Sequence, residues 1–402
     1  MPRAISADST LSALPHGARV LVQGAAGESR VLAAAVQAGI ATRPDLSFVG
    51  VFLPGVNTAA YGGAFTTFFL TPELKASGAQ FLPLGYNEIL AYLRAEPIDA
   101  ALFTASPADE AGQCSFGIAV DFAAELWPRI PVRIAHINPS MPQTSGHAGV
   151  PFEALTYVVQ ADAPLIELHE TPDDEIALAI GRNAARLIAD GAIVQTGIGK
   201  APGAVMRALG AKKRIRLHTG FISDWALDLQ QAGALASDDA VTTGLAIGTP
   251  RLYAALRSSR FAFQPVAHTH ALDVLRSQQG LVAINGALEV DLFGQAYAER
   301  APNGFSSGPG GALDFSRGAK LAGGIRIIVL PSTARGASRI VAPGAGRGPV
   351  SLSRFDIDAV VTEYGAADLR GCSHDARAER LIAIAAPAHR EVLEAAWRAA
   401  NA

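Results

Sequence analysis

Three short stretches of this chain could do chemistry. The segment Ile284–Ala319, INGALEVDLFGQAYAERAPNGFSSGPGGALDFSRGA, ends in a glycine-dense loop in which Gly304, Gly308, Gly310 and Gly311 lack the Cβ that would keep a ligand away from backbone N–H groups. Asp314-Phe315 then restarts a regular element. Gln195-Thr196-Gly197-Ile198-Gly199 follows an apolar run and precedes a helical pattern that tolerates Pro202 in its first turn, so amides of Gly197 and Gly199 are expected to point at whatever sits above the strand. Val266-Ala267-His268-Thr269-His270 supplies two imidazoles, each suited to act as a general base near its unperturbed pKa. The same His-x-His invites zinc, but no third ligand stands at a convincing spacing, and no metal is expected.

Elements that could position these residues recur along the whole chain. Short apolar runs (Arg19–Val22, Ser47–Leu53, Ala100–Thr104, Arg133–Ile137, Ala192–Gln195, Leu281–Ile284, Arg326–Leu330, Ala359–Thr362) alternate with helical patterns such as Ser29–Ala38, Asn87–Ala95, Glu175–Asp190 and Gly203–Ala208. Runs of Val, Ile and Leu without alternation predict parallel strands buried on both faces. Val20-Leu21-Val22-Gln23-Gly24 echoes Ile193-Val194-Gln195-Thr196-Gly197, each a strand entering a glycine loop and then a helix. If both open a domain, the boundary lies near His169–Asp174, where Thr171-Pro172-Asp173-Asp174 also starts a helix. The expected domains are residues 1–172 and 173–402.

Composition narrows the function by exclusion. At 402 residues, half of them hydrophobic, the chain can bury a sizeable core, and a formal charge of −3 gives no basic footprint for nucleic acid. The basic residues are mostly arginine, whose planar guanidinium suits phosphate or carboxylate, so a phosphate-bearing ligand remains feasible. Two cysteines, Cys114 and Cys372, form no disulfide framework and fit a reducing compartment. No run approaches the ~18 apolar residues of a membrane span, and residues 1–17 lack the ~7–15-residue apolar core of a secretory signal, so a cytoplasmic protein without a membrane partner is expected.

Asn285-Gly286-Ala287-Leu288-Glu289-Val290-Asp291-Leu292 followed by Gly308-Pro309-Gly310-Gly311 and Asp314-Phe315 resembles the acetyl-CoA hydrolase/CoA-transferase family. That family reads Asn-Ser-Ala-Leu-Glu-Val-Asp-Leu and then Gly-x-Gly-Gly-x-x-Asp-Phe. Ser106-Pro107-Ala108-Asp109, Asn138-Pro139-Ser140-Met141-Pro142, Ser338-Arg339-Ile340-Val341 and Val361-Thr362-Glu363-Tyr364-Gly365 extend the likeness from about Arg19 to Glu391. The resemblance implies an α/β fold of two similar CoA-transferase domains, each a largely parallel sheet covered by helices, with the active site between them. It also implies a coenzyme A thioester as substrate, a small-molecule acceptor and a homodimer.

Two departures from the family bear on mechanism. The family's nucleophilic glutamate stands in a His-Thr-Glu step, about twenty residues after a Gly-Ile-Gly turn; this chain reads His218-Thr219-Gly220-Phe221-Ile222-Ser223-Asp224, with Gly199 at that interval. Family members transfer CoA through an acyl-glutamyl anhydride and a glutamyl thioester, which needs a side-chain nucleophile that glycine cannot supply. Where the family has an asparagine-containing turn at its active site, this chain has His268 and His270. The resemblance therefore implies a carboxylate-sized vacancy at Gly220 beside the thioester, with His268 or His270 as base, His218 as an orienting residue, and Gly197, Gly199, Asn285, Gly308, Gly310 and Gly311 holding the ligand. Asp224, Glu289 and Glu363 match family positions and are read as supports. The expected activity is acyl transfer to water or a small, even intramolecular, nucleophile; the alternatives are conventional CoA transfer to a carboxylate and a non-catalytic CoA-binding subunit.

Overall fold

The computed structural model describes residues 1–62, 64–237, 240–257, 261–302, 304–305 and 307–400. Two large sheets carry the architecture. The first is eight-stranded and parallel throughout, in the spatial order Arg3–Ala4, Tyr157–Gln160, Val132–Ile137, Ala100–Ala105, Arg19–Val22, Ser47–Gly50, Ala64–Thr67, Gln80–Phe81. The second is nine-stranded: Gly365–Asp368, Ala359–Thr362, Ile325–Val329, Val282–Gly286, Ile193–Thr196, Arg216–Ile222, Val241–Ala246, Ala262–Phe263, Ser145–Gly146. Only its Gly365–Asp368 edge runs antiparallel to its neighbour.

Side-chain alternation explains why the strands read as unbroken apolar runs. All six residues of Ala100–Ala105 are buried, and they sort by parity: Ala101, Phe103 and Ala105 enter the large central core, whereas Ala100 and Leu102 enter a second core with Val20, Val22 and Phe48. In the second sheet Ile327 and Val329 face the central core, while Ile328 faces a separate cluster with Val360. A strand covered on both faces takes apolar residues at nearly every position, Thr104 being the buried polar exception here.

Helix starts follow their capping chemistry. Ser29 Oγ accepts from Leu32 N (3.0 Å) at the start of Arg30–Gly39, and Asp174 Oδ1 accepts from Ala177 N (2.8 Å) at the start of Glu175–Ala185. The second helix stops five residues before the Asp190 expected from its pattern, because the chain turns at Ala189–Ala192 to enter the next strand. The strand expected over Ser47–Leu53 ends at Gly50, beyond which Leu53 N is held by Asn57 Oδ1 (2.8 Å).

The two halves are bonded as well as packed. The edge strand Ser145–Gly146 leaves the first half to pair with Ala262–Phe263 of the second sheet. Val120 N donates to Gly244 O (3.0 Å) and Ala246 N to Ile118 O (2.8 Å). The helix Tyr86–Ala95 begins at Gly85, whose amide is met by Glu88 Oε2 (2.7 Å), half of a capping box. Glycine has no side chain to complete the box, and Asp314 of the second half takes that part: its Oδ2 accepts from Tyr86 N (3.1 Å) and its Oδ1 from Asn87 Nδ2 (2.8 Å). Burial pushes the Asp314 carboxyl up to about 6 against the pull of these donors. Among the described residues no helix is long and apolar enough to cross a membrane, and Cys114 and Cys372 are both free.

Asp314→Ala should lower unfolding stability by about 1–2 kcal/mol, the usual loss for a helix cap, while Asp314→Asn, which still accepts from the Tyr86 and Asn87 amides, should lose less. Urea unfolding of the three proteins at one pH checks the order.

Candidate active site

The carboxyl ends of the second sheet open into a cleft of about 820 Å³, closed on the opposite side by Leu53, Pro54, Val56, Phe69 and Tyr86 of the first half. Such ends are where α/β sheets present ligands to loops and helix N-termini. Two helix starts border the cleft: Lys200–Ala208, entered through Gly199, and Ala312–Leu321, entered through Gly311. Their first-turn amides have no intrahelical partner and favour negative charge.

Gly220 lies at the cleft in the strand Arg216–Ile222. A Cβ built there would meet His270 Cε1 at 3.1 Å and Nε2 at 3.2 Å, so the imidazole occupies the space into which a side chain at 220 would grow. A Cβ on Gly311 would lie 2.6 Å from the same Nε2, which makes glycine necessary where the loop passes the ring. His270 is 2% exposed, stacked on Tyr86 (centroids 4.3 Å apart, 22° between planes) and flanked by Phe315 at 4.6 Å. Its Nδ1 is 2.8 Å from Thr269 Oγ1, and its backbone carbonyl accepts from Asn87 Nδ2 (2.9 Å). The apolar box and the field of His218 push the ring down to about 3, so it is held neutral.

The structure separates the other histidines from this point. His268 is exposed and is not among the residues lining the cleft; the turn Val266–Thr269 ends between it and His270, so the two rings leave in different directions. His218 is buried with Nε2 3.1 Å from Thr269 O, which fixes the turn carrying His270, and burial lowers it to about 4.

Asn285 lines the cleft and exchanges long hydrogen bonds with Gln195: its Nδ2 donates to Oε1 (3.4 Å), and its Oδ1 accepts from Nε2 (3.3 Å). Gly197 and Gly199 also line it, but the Gly197 amide donates to Ile284 O (2.8 Å). The expectation that the Gly197 amide points at a ligand is corrected: it extends the ladder between two strands, and a Cβ at 197 would strike Asn285 Oδ1 at 2.9 Å. Gly308, Gly310 and Gly311 form the cleft wall, tied to the first half by a bridge between Gly310 and Gly85. Gly304 lies outside the lining, in a two-stranded ribbon with Arg300–Ala301.

The carboxylates read as supports are engaged elsewhere. Asp224 accepts from Thr249 N (2.9 Å) and Oγ1 (2.7 Å), Glu363 from Ser332 N (2.9 Å) and Oγ (2.6 Å), and Glu289 from Arg347 N (2.9 Å). Among the described lining residues Asp174 is the one carboxylate; it caps a helix and pairs with Lys200 Nζ at 2.8 Å. Sequence reasoning missed Tyr86, Phe315 and Asn87, which box His270. The visible signal was limited to a helix start at Gly85 with Glu88 three residues on.

Residues 248–397 match the acetyl-CoA hydrolase/transferase C-terminal domain. The chain is 35% identical to the 4-hydroxybutyrate coenzyme A transferase of Clostridium kluyveri over 80% of its own length and 77% of that protein's. The chain belongs to the acetyl-CoA hydrolase/CoA-transferase family. The crystal structure of RipA from Yersinia pestis superposes with a TM-score of 0.89 at 26% identity, covering 99% of this chain and 98% of that one. An acetyl-CoA hydrolase of Candida albicans is 30% identical over 53% of this chain and 43% of its own length. The family thus holds proteins named for transfer and for hydrolysis, and coenzyme A thioesters are its substrates.

A rate that depends on neutral His270 should stay level from about pH 5 to 8 and fall only as pH drops toward 3, because the ring protonates below that value. A base with an ordinary imidazole pKa would instead give an acid limb near ~6.5. The pH profile of kcat/KM for acyl-CoA turnover distinguishes the two.

Proposed function

We propose that this protein processes an acyl-CoA by passing the acyl group to water or a small nucleophile without a glutamyl-CoA intermediate. One observation carries the reading: the described cleft lining offers no uncommitted carboxylate, and the neutral His270 ring fills the space beside Gly220. On this reading Gly220 stands where the family's nucleophilic glutamate stands, and the thioester lies between residues 1–172 and 173–402. Its carbonyl carbon faces His270 Nε2, and its oxygen faces amides at the start of the helix after Gly311.

The steps balance without a protein nucleophile. Water held by Nε2 adds to the carbonyl carbon as its proton moves to the imidazole, and the oxyanion is met by the helix-start amides. The C–S bond breaks, the thiolate of CoA takes the proton, and the acid leaves. A ring with a pKa of about 3 is a weak base before the oxyanion forms. It accepts a proton only while the oxyanion beside it supplies an opposite charge. A hydroxyl on the acyl chain could replace water and give a cyclised product from the same geometry. The apolar wall of Leu53, Val56, Phe69 and Phe221 supports an acyl group without charge. The family resemblance supports a homodimer, and the residue composition a cytoplasmic one.

Conventional CoA transfer is the second reading, favoured by the name of the Clostridium kluyveri relative. It requires a glutamyl thioester on the protein. Intact-protein mass spectrometry after incubation with acyl-CoA should show no covalent adduct of CoA; an adduct mapped to a glutamate would overturn the proposal. Gly220→Glu alone should gain little exchange of CoA between acyl-CoA and free carboxylates, since its Cβ meets His270. Gly220→Glu with His270→Ala, which clears the space, should gain measurable exchange.

A further inference from the structure

Arg339 is the one arginine among the described residues lining the cleft, and the cleft's other cation, Lys200, is paired with Asp174. Its backbone is pinned on both sides: its amide donates to Ser332 O and its carbonyl accepts from Val290 N, each at 2.8 Å. Its guanidinium is half-buried, yet it makes no hydrogen bond or ion pair among those formed by the described residues. The two carboxylates whose charge it feels are engaged elsewhere, Glu289 with Arg347 and Glu363 with Ser332. A guanidinium stays charged at any working pH, and its planar fork of donors, not taken up by the described residues, is free to meet an anion in the cleft.

Position narrows which anion this is. The Arg339 backbone is held between Ser332, just past the strand Ile325–Val329, and Val290, just past Val282–Gly286, strands that lie three and two places from the Gly220 strand, or ~10–14 Å at the usual spacing. A carboxylate acceptor must react at the thioester, so its own charge belongs near Gly220. The pantetheine arm of CoA is about as long as four extended residues, ~14 Å, and ends in phosphate. Resting on the acyl-CoA reading above, we infer that Arg339 binds a phosphate of coenzyme A at the far end of the cleft, which orients the thioester so that its acyl group enters the apolar end beside Gly220.

Calorimetric titration of the full-length protein with CoA, 3′-dephospho-CoA and pantetheine tests this. Arg339→Gln should weaken CoA about ten- to a hundredfold and leave pantetheine, which has no phosphate, unchanged. Arg251→Gln, a surface control whose partner is Asp228, should change neither. If the variant weakens CoA and dephospho-CoA alike, Arg339 holds the diphosphate; if it weakens CoA alone, it holds the 3′-phosphate; both uphold the inference. CoA affinity unchanged in Arg339→Gln overturns it and leaves the acyl-CoA reading standing, whereas wild-type protein that binds no CoA overturns both. Should Arg339→Gln lose pantetheine as well, Arg339→Lys decides: a retained preference for CoA over pantetheine supports the phosphate contact, and a lost one shows a structural role that contradicts it.

Discussion

The site depends on one steric arrangement: an uncharged imidazole fitted against two glycines. A Cβ on Gly311 would lie 2.6 Å from His270 Nε2 and one on Gly220 3.2 Å from it, so a side chain at 311 requires the ring to move and one at 220 requires it to give by a few tenths of an ångström. The ring is kept there by Tyr86 stacked on it and Phe315 tilted against it, and the desolvation its burial imposes keeps it neutral. Burying an unpaired charge there would cost several kcal/mol, so a neutral ring is the state that the packing selects.

That arrangement is assembled across the two halves. Tyr86 and Asn87 come from the first half, His270, Phe315 and Asp314 from the second. Asp314 caps the helix that starts at Tyr86, and Asn87 joins the Asp314 carboxylate to the His270 carbonyl. Part of the bonding that docks the halves therefore also fixes the ring. Sliding one half against the other would lose the helix cap and the stacking together. The apolar first-half residues, the helix starts of the second half and Arg339 line the same cleft.

Much of the framework was legible because double-sided burial leaves a simple mark. Arg19–Val22 and Ala359–Thr362 match their observed bounds, since their fully covered positions, Val20, Leu21 and Val22 in one and Ala359, Val360 and Val361 in the other, are apolar. The glycine loop was legible as a place of close approach, although the reason for Gly311 is contact with His270 rather than with a ligand alone. What could not be read was convergence: nothing in the pattern around Gly85 says that its helix is capped by a residue 228 positions later. The pairing of Ser145–Gly146 with the second sheet was equally hidden, because a two-residue edge strand leaves no periodicity. Which of His268 and His270 meets Gly220 turned on where a four-residue helix ends, a detail below the reach of spacing.

Acyl transfer without a glutamyl thioester can be read by mass spectrometry of an acyl-CoA panel incubated with the protein and a pool of free carboxylates in ¹⁸O-water. Free CoA should appear together with ¹⁸O-labelled acid, or with an unlabelled cyclised product, and no new acyl-CoA should form. New acyl-CoA species formed from the added carboxylates would contradict transfer without that thioester.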